Sequence, residues 1–357
     1  MVSSVDFAQS LKHLNFTPSV VFNRTDSSDS NENDGIAFNG KMIAVHWKQT
    51  ASIAVFNADK PQTFSPAIPL LKGHTGQIYD MQWNPFQERL LASSADDGKV
   101  NLWVFDDFEG CTEVTTEADM VLDAHPRKTI CLRWHESVEN LMATCAIDKT
   151  VRIWDINEDR ADDAIFTFTE MEDFATSLRW SPNGKNIAAP CKNKQVLILD
   201  PRQADSAMKA GLHQGPRQQR LEWIDDESII TTGFDTSAKR QYGVWDLRNM
   251  EQPLSLGPLN EGSGIPFFHY DREFGGFFLV ARGDNNIGCY HLDKSKQQIL
   301  TNMQMFPFSS TQKAFTIGPK HCVNVGKQEV MRAVRATNKN TIEVLQMIIP
   351  SRIGGFN

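Results

Sequence analysis

His74, Ser93 and Asp97 recur as His125, Thr144 and Asp148 with identical separations, 19 residues from imidazole to hydroxyl and four more to the carboxylate. An imidazole between a hydroxyl and a carboxylate is the arrangement that activates an oxygen nucleophile. Two features argue for another use. The set occurs once per repeat, which catalysis does not require, and each copy brings two tryptophans in fixed register: Trp83 and Trp103, then Trp134 and Trp154. The first Trp follows the His by nine residues, and the second follows the first by twenty. Buried polar groups must pair with one another. The set therefore reads as a structural chain in which Asp accepts from His, His meets Ser or Thr, and the hydroxyl reaches the indole N–H of Trp103 or Trp154.

The elements that would position such a chain are short strands. In 74–105 the apolar bursts around Ile78–Trp83, Leu90–Ser94 and Val100–Trp103 are parted by Asn-Pro and Asp-Gly turn signals. Repeats of about 40–45 residues with a Trp-Asp signature mark four-stranded propeller blades. Seven candidate units are legible: 35–56, 74–105, 125–156, 171–200, 217–247, 264–292 and 311–348. In the fourth, Asn193 takes the turn and Leu199 the closing Trp. The fifth closes on Trp245-Asp246, and the sixth places Asp284 in its turn. The fold expected is all-β, a seven-bladed propeller of WD repeats occupying 1–350 as one domain, with 351–357 beginning an extension. A ring must close, and Phe16–Phe22 suits the closing strand, with Pro18 suiting an edge position.

Composition narrows the function. The chain is 40% hydrophobic and 22% charged, ordinary for a globular protein. No apolar run reaches the ~18–20 residues of a membrane span, and the N-terminus lacks a signal peptide's basic start and apolar core. Six cysteines without CxxC spacing read as free thiols in a reducing compartment. A net charge of −8 argues against nucleic-acid binding, which needs a basic face. Local basic groups remain at Arg127-Lys128, Arg217 with Arg220, Lys239-Arg240, Arg248, and Arg332 with Arg335, and could serve an acidic partner. No phosphate loop, HExxH or GxSxG is present. No enzyme, cofactor or metal is expected, and the fold class points to an interaction platform.

Units five and six are more specific. TTGFDTSAKRQYGVWDLRNMEQPLSL (231–256), SGIPFFHYD (263–271) and FFLVARGDNNIGCYHL (277–292), with LDPRQ (199–203), resemble the coronin family, and the resemblance extends over nearly the whole chain. It is looser at the ends. The N-terminus has SLKHLNFTP in place of the family's basic Phe-Arg-His opening, and 320–335 follows the family pattern only in part.

The resemblance implies a non-enzymatic protein of the cytoplasm, at the actin-rich cell cortex, that binds filamentous actin and organises its turnover. In the family a C-terminal coiled coil oligomerises the chain and contacts the branched-actin nucleating complex. No heptads follow residue 350, so a monomer binding actin monovalently is expected, whether the chain is shortened or naturally short. Actin is acidic, and the candidate contacts are Arg24, the nearest match to a family arginine of the first blade, with Lys239, Arg240 and Arg248. A rival reading takes Trp245-Asp246-Leu247-Arg248 as a WDxR motif, which resembles that of propellers serving cullin ubiquitin ligases as substrate receptors.

Overall fold

In the computed structural model the described residues are 15–23, 35–47, 51–60, 68–157, 163–169, 171–203, 207–272, 275–295 and 299–348. They fold into seven antiparallel sheets. Strand β1 (Asn15–Asn23) precedes blade one, which comprises β2 (Ile36–Phe38), β3 (Met42–His46) and β4 (Ile53–Asn57). Blade two holds β5 (Ile78–Trp83), β6 (Leu90–Ala95), β7 (Val100–Val104) and β8 (Met120–Leu122). Blade three holds β9 (Thr129–Trp134), β10 (Leu141–Ala146), β11 (Val151–Asp155) and β12 (Phe166–Phe168). Blade four holds β13 (Arg179–Trp180), β14 (Ile187–Pro190), β15 (Gln195–Leu199) and β16 (Ala207–Gly211). Blade five holds β17 (Arg220–Asp225), β18 (Ser228–Phe234), β19 (Arg240–Asp246) and β20 (Ser255–Pro258). Blade six holds β21 (Pro266–Asp271), β22 (Gly276–Ala281), β23 (Asn286–Leu292) and β24 (Leu300–Pro307). Blade seven holds β25 (Gln312–Ile317), β26 (Glu329–Thr337) and β27 (Thr341–Ile348).

This is a seven-bladed β-propeller, and β1 closes it by pairing antiparallel with β27 as the outermost strand of blade seven. We call the strands of each blade a to d from the axis outward. The outer strand of blades two to six lies downstream of the closing Trp position, past the units read from the sequence: β8, β12, β16, β20 and β24. Short polar-flanked segments such as Met120–Leu122 and Phe166–Phe168 carry too little periodicity to be seen alone. Blade one has three strands; its outer edge is met by bridges from Leu71 to Ile53 and from Gly110 to Phe56.

The apolar core divides into seven clusters, each shared by two neighbouring blades. Ile36 and Phe38 of blade one pack with Val334 and Ile342 of blade seven, and Ile187 and Leu197 of blade four with Cys145 and Ile153 of blade three. A twisted sheet buries its two faces only against other sheets, so the blades stabilise one another in sequence around the ring.

The first tryptophan of the repeat stitches these interfaces. Trp134 donates its indole N–H to the Gln82 carbonyl at 3.2 Å, Trp180 to that of Arg133 at 3.2 Å, and Trp223 to that of Arg179 at 3.0 Å. At the closure, Phe16 is buried between blades six and seven, edge-on to Phe306 with ring centroids 4.8 Å apart. Phe16→Ala should lower the unfolding free energy by about 3–5 kcal/mol, the usual cost of truncating a buried phenylalanine. The midpoint and slope of urea denaturation check it.

Candidate functional site

The repeated His–hydroxyl–carboxylate sets lie where the loop between blades meets the turn between strands b and c. His74 Nδ1 is 3.0 Å from Asp97, its Nε2 is 2.9 Å from Ser93 Oγ, and Trp103 donates its indole N–H to that oxygen at 2.9 Å. In blade three, His125 stands 3.0 Å from Asp148 and 2.8 Å from Thr144, which accepts from Trp154 at 2.9 Å. Ser93 and Thr144 are fully buried, so no substrate carbonyl can approach either oxygen, and the geometry serves packing.

A third set escaped the sequence reading. His213 Nε2 lies 2.8 Å from Thr231 Oγ1, which accepts from Trp245 at 2.8 Å, and Gln241 takes the place of the carboxylate, 2.8 Å from His213 Nδ1. His213 precedes Trp223 by ten residues instead of nine, and the turn carboxylate Asp235 caps its own turn through the N–H groups of Ser237 and Lys239.

The electrostatics of the three sets differ accordingly. Burial alone would raise the Asp97 carboxyl, but the hydrogen bond from His74 and the N–H groups of Thr75 and Lys99 outweigh it and hold it at about 2. Burial also lowers His125, with Asp148 opposing. Nothing opposes burial at His213, which falls to about 4. An unfolded histidine titrates near ~6.5, so the unfolded chain takes up this proton first as pH falls. The neutral His213 therefore contributes fully above the unfolded value, and its contribution is lost as pH falls toward the folded value, amounting to about 3 kcal/mol. His213→Gln should flatten that part of the stability–pH curve, measured as the urea midpoint between neutral and mildly acid pH.

These turns build one face of the disc. The b–c turns and the loops between blades lie together, as the His125 N–H to Gly98 carbonyl bond (2.9 Å) and the Gly215 N–H to Phe234 carbonyl bond (2.8 Å) show. Each turn of blades two to six has an acid or amide in it, and those groups are spent inward. Asp97 and Asp148 hold histidines, Asn193 caps the N–H of Gln195, Asp235 caps its own turn, and Asp284 grips Arg240. The lysines point outward: Lys99, Lys149, Lys192, Lys194, Lys239 and Lys339 are all exposed. Lys99 meets Asp123 at 3.4 Å, whereas Lys149 and Lys194 donate to the neutral carbonyls of Glu172 and Gln214 and keep their charge uncompensated by those bonds.

Two of these lysines sit in an unfavourable backbone conformation. Lys149 has φ 66° and Lys194 φ 71°, at the turn position that Gly98, with φ 79°, occupies in blade two. A side chain in the left-handed region costs on the order of 1 kcal/mol relative to glycine. Blade two could not accept that exchange, since a Cβ on Gly98 would collide with the His125 carbonyl.

The candidate residues do not form one patch. Lys239 is exposed on the b–c face. Arg240, the next residue, turns to the opposite side of the strand and is no surface group: its guanidinium is fully enclosed, clamping Asp284 of blade six at 2.6 and 2.9 Å and donating to the Gly264 carbonyl at 3.0 Å. Arg248 lies past the other end of β19, about 20 Å from Lys239 for a strand of this length, on the face of the a–b and c–d turns. There it pairs with Asp246 at 2.6 Å and Glu227 at 3.2 Å. Its bond and charge hold Asp246 at about 2. Arg24 and 351–357 lie outside the described residues. Among the described residues no cluster of His, Cys, Asp or Glu could hold a metal, and no helix is long and apolar enough to cross a membrane. All six cysteines are free.

Comparison with known proteins follows the same lines. The "WD domain, G-beta repeat" family model matches 66–104 and 117–155. A coronin-like protein of Schizosaccharomyces pombe is 28% identical over 92% of this chain and 55% of its own length. For a coronin-like protein of Saccharomyces cerevisiae the figures are 28%, 89% and 50%, and for human coronin-2A 28%, 90% and 62%. The chain thus spans about half the length of the curated relatives it matches. The crystal structure of the WD40 domain of Toxoplasma gondii coronin superposes with a TM-score of 0.87 at 24% identity, covering 97% of this chain and 89% of that one, a likeness of fold.

Proposed function

The chain belongs to the coronin family, and from that premise we propose that it is a non-enzymatic actin-filament-binding propeller that engages the filament with the face of its b–c turns. The observation that carries the reading is the division of charge on that face. Acidic turn residues face inward to histidine, arginine and backbone, and lysines face out. The densest group lies on adjacent blades three to five, comprising Lys149, Lys192, Lys194 and Lys239. Local potential governs encounter with an acidic filament even on a chain of net charge −8. Lysine at two positions where glycine costs less is a further sign that side chains there are kept for contact and not for folding. Arg240 holds blades five and six together and is no part of this surface. One propeller presents one such face, so the chain binds monovalently and acts in the cytoplasm, at the actin-rich cell cortex.

Co-sedimentation with actin filaments over a salt series tests this. Pelleting should weaken as salt rises. Lys149→Gly with Lys194→Gly should fold with equal or higher thermal stability, yet bind about tenfold more weakly at low salt, as expected for loss of two steering charges. Pelleting indifferent to salt and to the double substitution would move the contact off this face, and no pelleting at low salt would remove the actin reading.

A further inference from the structure

The indole stitches between blades leave one rung without its partner. Trp134, Trp180 and Trp223 each donate to a main-chain carbonyl of the preceding blade's inner strand. Trp83 holds the same place in blade two and is only 6% exposed, but its N–H has no hydrogen-bond partner. The preceding inner strand, β2, is three residues long and ends at the Asn39 turn. There the Asn39 amide donates to the Glu88 carbonyl, and the Asn39 side-chain oxygen accepts from Lys41 and Met42. Beside Trp83, Asn84 is 3% exposed. Its Oδ1 accepts from the N–H groups of Phe86 and Gln87 at 2.8 and 2.9 Å, which fixes the amide orientation and leaves its NH2 without a partner. Buried donors left unpaired are rare in folded proteins and call for an acceptor.

Both residues line a cavity of about 650 Å³ at the a–b end of the central channel, a size suited to a ligand. The charges of its wall are matched within the protein. Arg133 pairs with Asp80, Arg179 with Glu222 at 3.3 Å, Arg272 with Glu136 at 3.4 Å, and Lys320 with Asp271 at 2.5 Å. An ionic ligand would enter with a charge that has no free counter-ion and would lose its hydration. A neutral group with an acceptor oxygen meets no such cost, and the acceptor used at the three other rungs is a peptide carbonyl. At the rim, Pro85 and Phe86 are exposed, Phe86 by 44%, and offer apolar contact beside the donors.

We propose that this end of the channel is a peptide-binding site, in which Trp83 and Asn84 donate to main-chain carbonyl oxygens of an extended, uncharged segment of a partner protein. It lies on the face opposite the turn lysines and does not depend on the actin reading. The first experiment selects from a displayed library of random short peptides on the immobilised full chain, with an unrelated propeller as control. Selected peptides are synthesised with a fluorescent label and titrated by anisotropy. They should bind Trp83→Phe, which keeps the packing and loses the N–H, about tenfold more weakly than wild type, the effect of one well-made hydrogen bond. Asn84→Ser keeps an oxygen for the turn and should show a similar loss. In the wild-type protein, which needs no substitution to fold, the Trp83 indole N–H resonance should shift saturably with added peptide. A site that holds only water would enrich no peptide above the control. That result, equal affinity for both variants, or an unmoved Trp83 resonance would each overturn the proposal.

Discussion

Ring closure is the constraint on which the rest of this molecule depends. No blade owns a core: each of the seven apolar clusters belongs to two blades, including the one where β1 and Phe16 lie against blades six and seven. An open array of such sheets would leave two large apolar faces in water. A closed one leaves none, and its edge strands are confined to the outer rim. The indole bonds from Trp134, Trp180 and Trp223 to the preceding blade, and the Arg240–Asp284 clamp between blades five and six, are polar counterparts of the same seams.

Rigidity in the strands frees the turns for recognition. A b–c turn needs a short polar residue to cap its N–H groups, and here that residue is usually an acid or amide drawn inward by a histidine, an arginine or the backbone. The acidic half of the turn chemistry is thereby consumed in folding, and the exposed half is basic. A molecule acidic overall thus presents a cationic face, with no residue required to serve both stability and contact. The left-handed lysines, Lys149 and Lys194, are the positions where the two demands diverge.

The repeat spacing made the architecture legible, because Trp83, Trp103, Trp134 and Trp154 mark inner and third strands at a constant interval, and the His–hydroxyl–carboxylate chains follow from it. The outer strands were not legible, being three to five residues long in blades two to five without a marker of their own. His213 was hidden by one extra residue before Trp223 and by Gln241 standing where an acid was sought. The interaction surface was the least legible part. Lys239 and Arg240 are adjacent in sequence yet point to opposite sides of a strand, one to solvent and one into a buried ion pair. Lys239 and Arg248 share a segment but sit on opposite faces of the disc. Strand alternation accounts for the first distinction; the second needs the sheet order. The unpartnered Trp83 becomes apparent only when its equivalents in other blades are seen bonded.

The central claim is that the b–c face meets the filament. Electron cryomicroscopy of actin filaments decorated with this chain measures it directly, since the density of a seven-bladed disc reveals which face lies against actin. The account predicts the turns carrying Lys149, Lys194 and Lys239 within contact distance of acidic side chains on the filament. Decoration through the opposite face, with Arg248 and the a–b turns against actin, would contradict it.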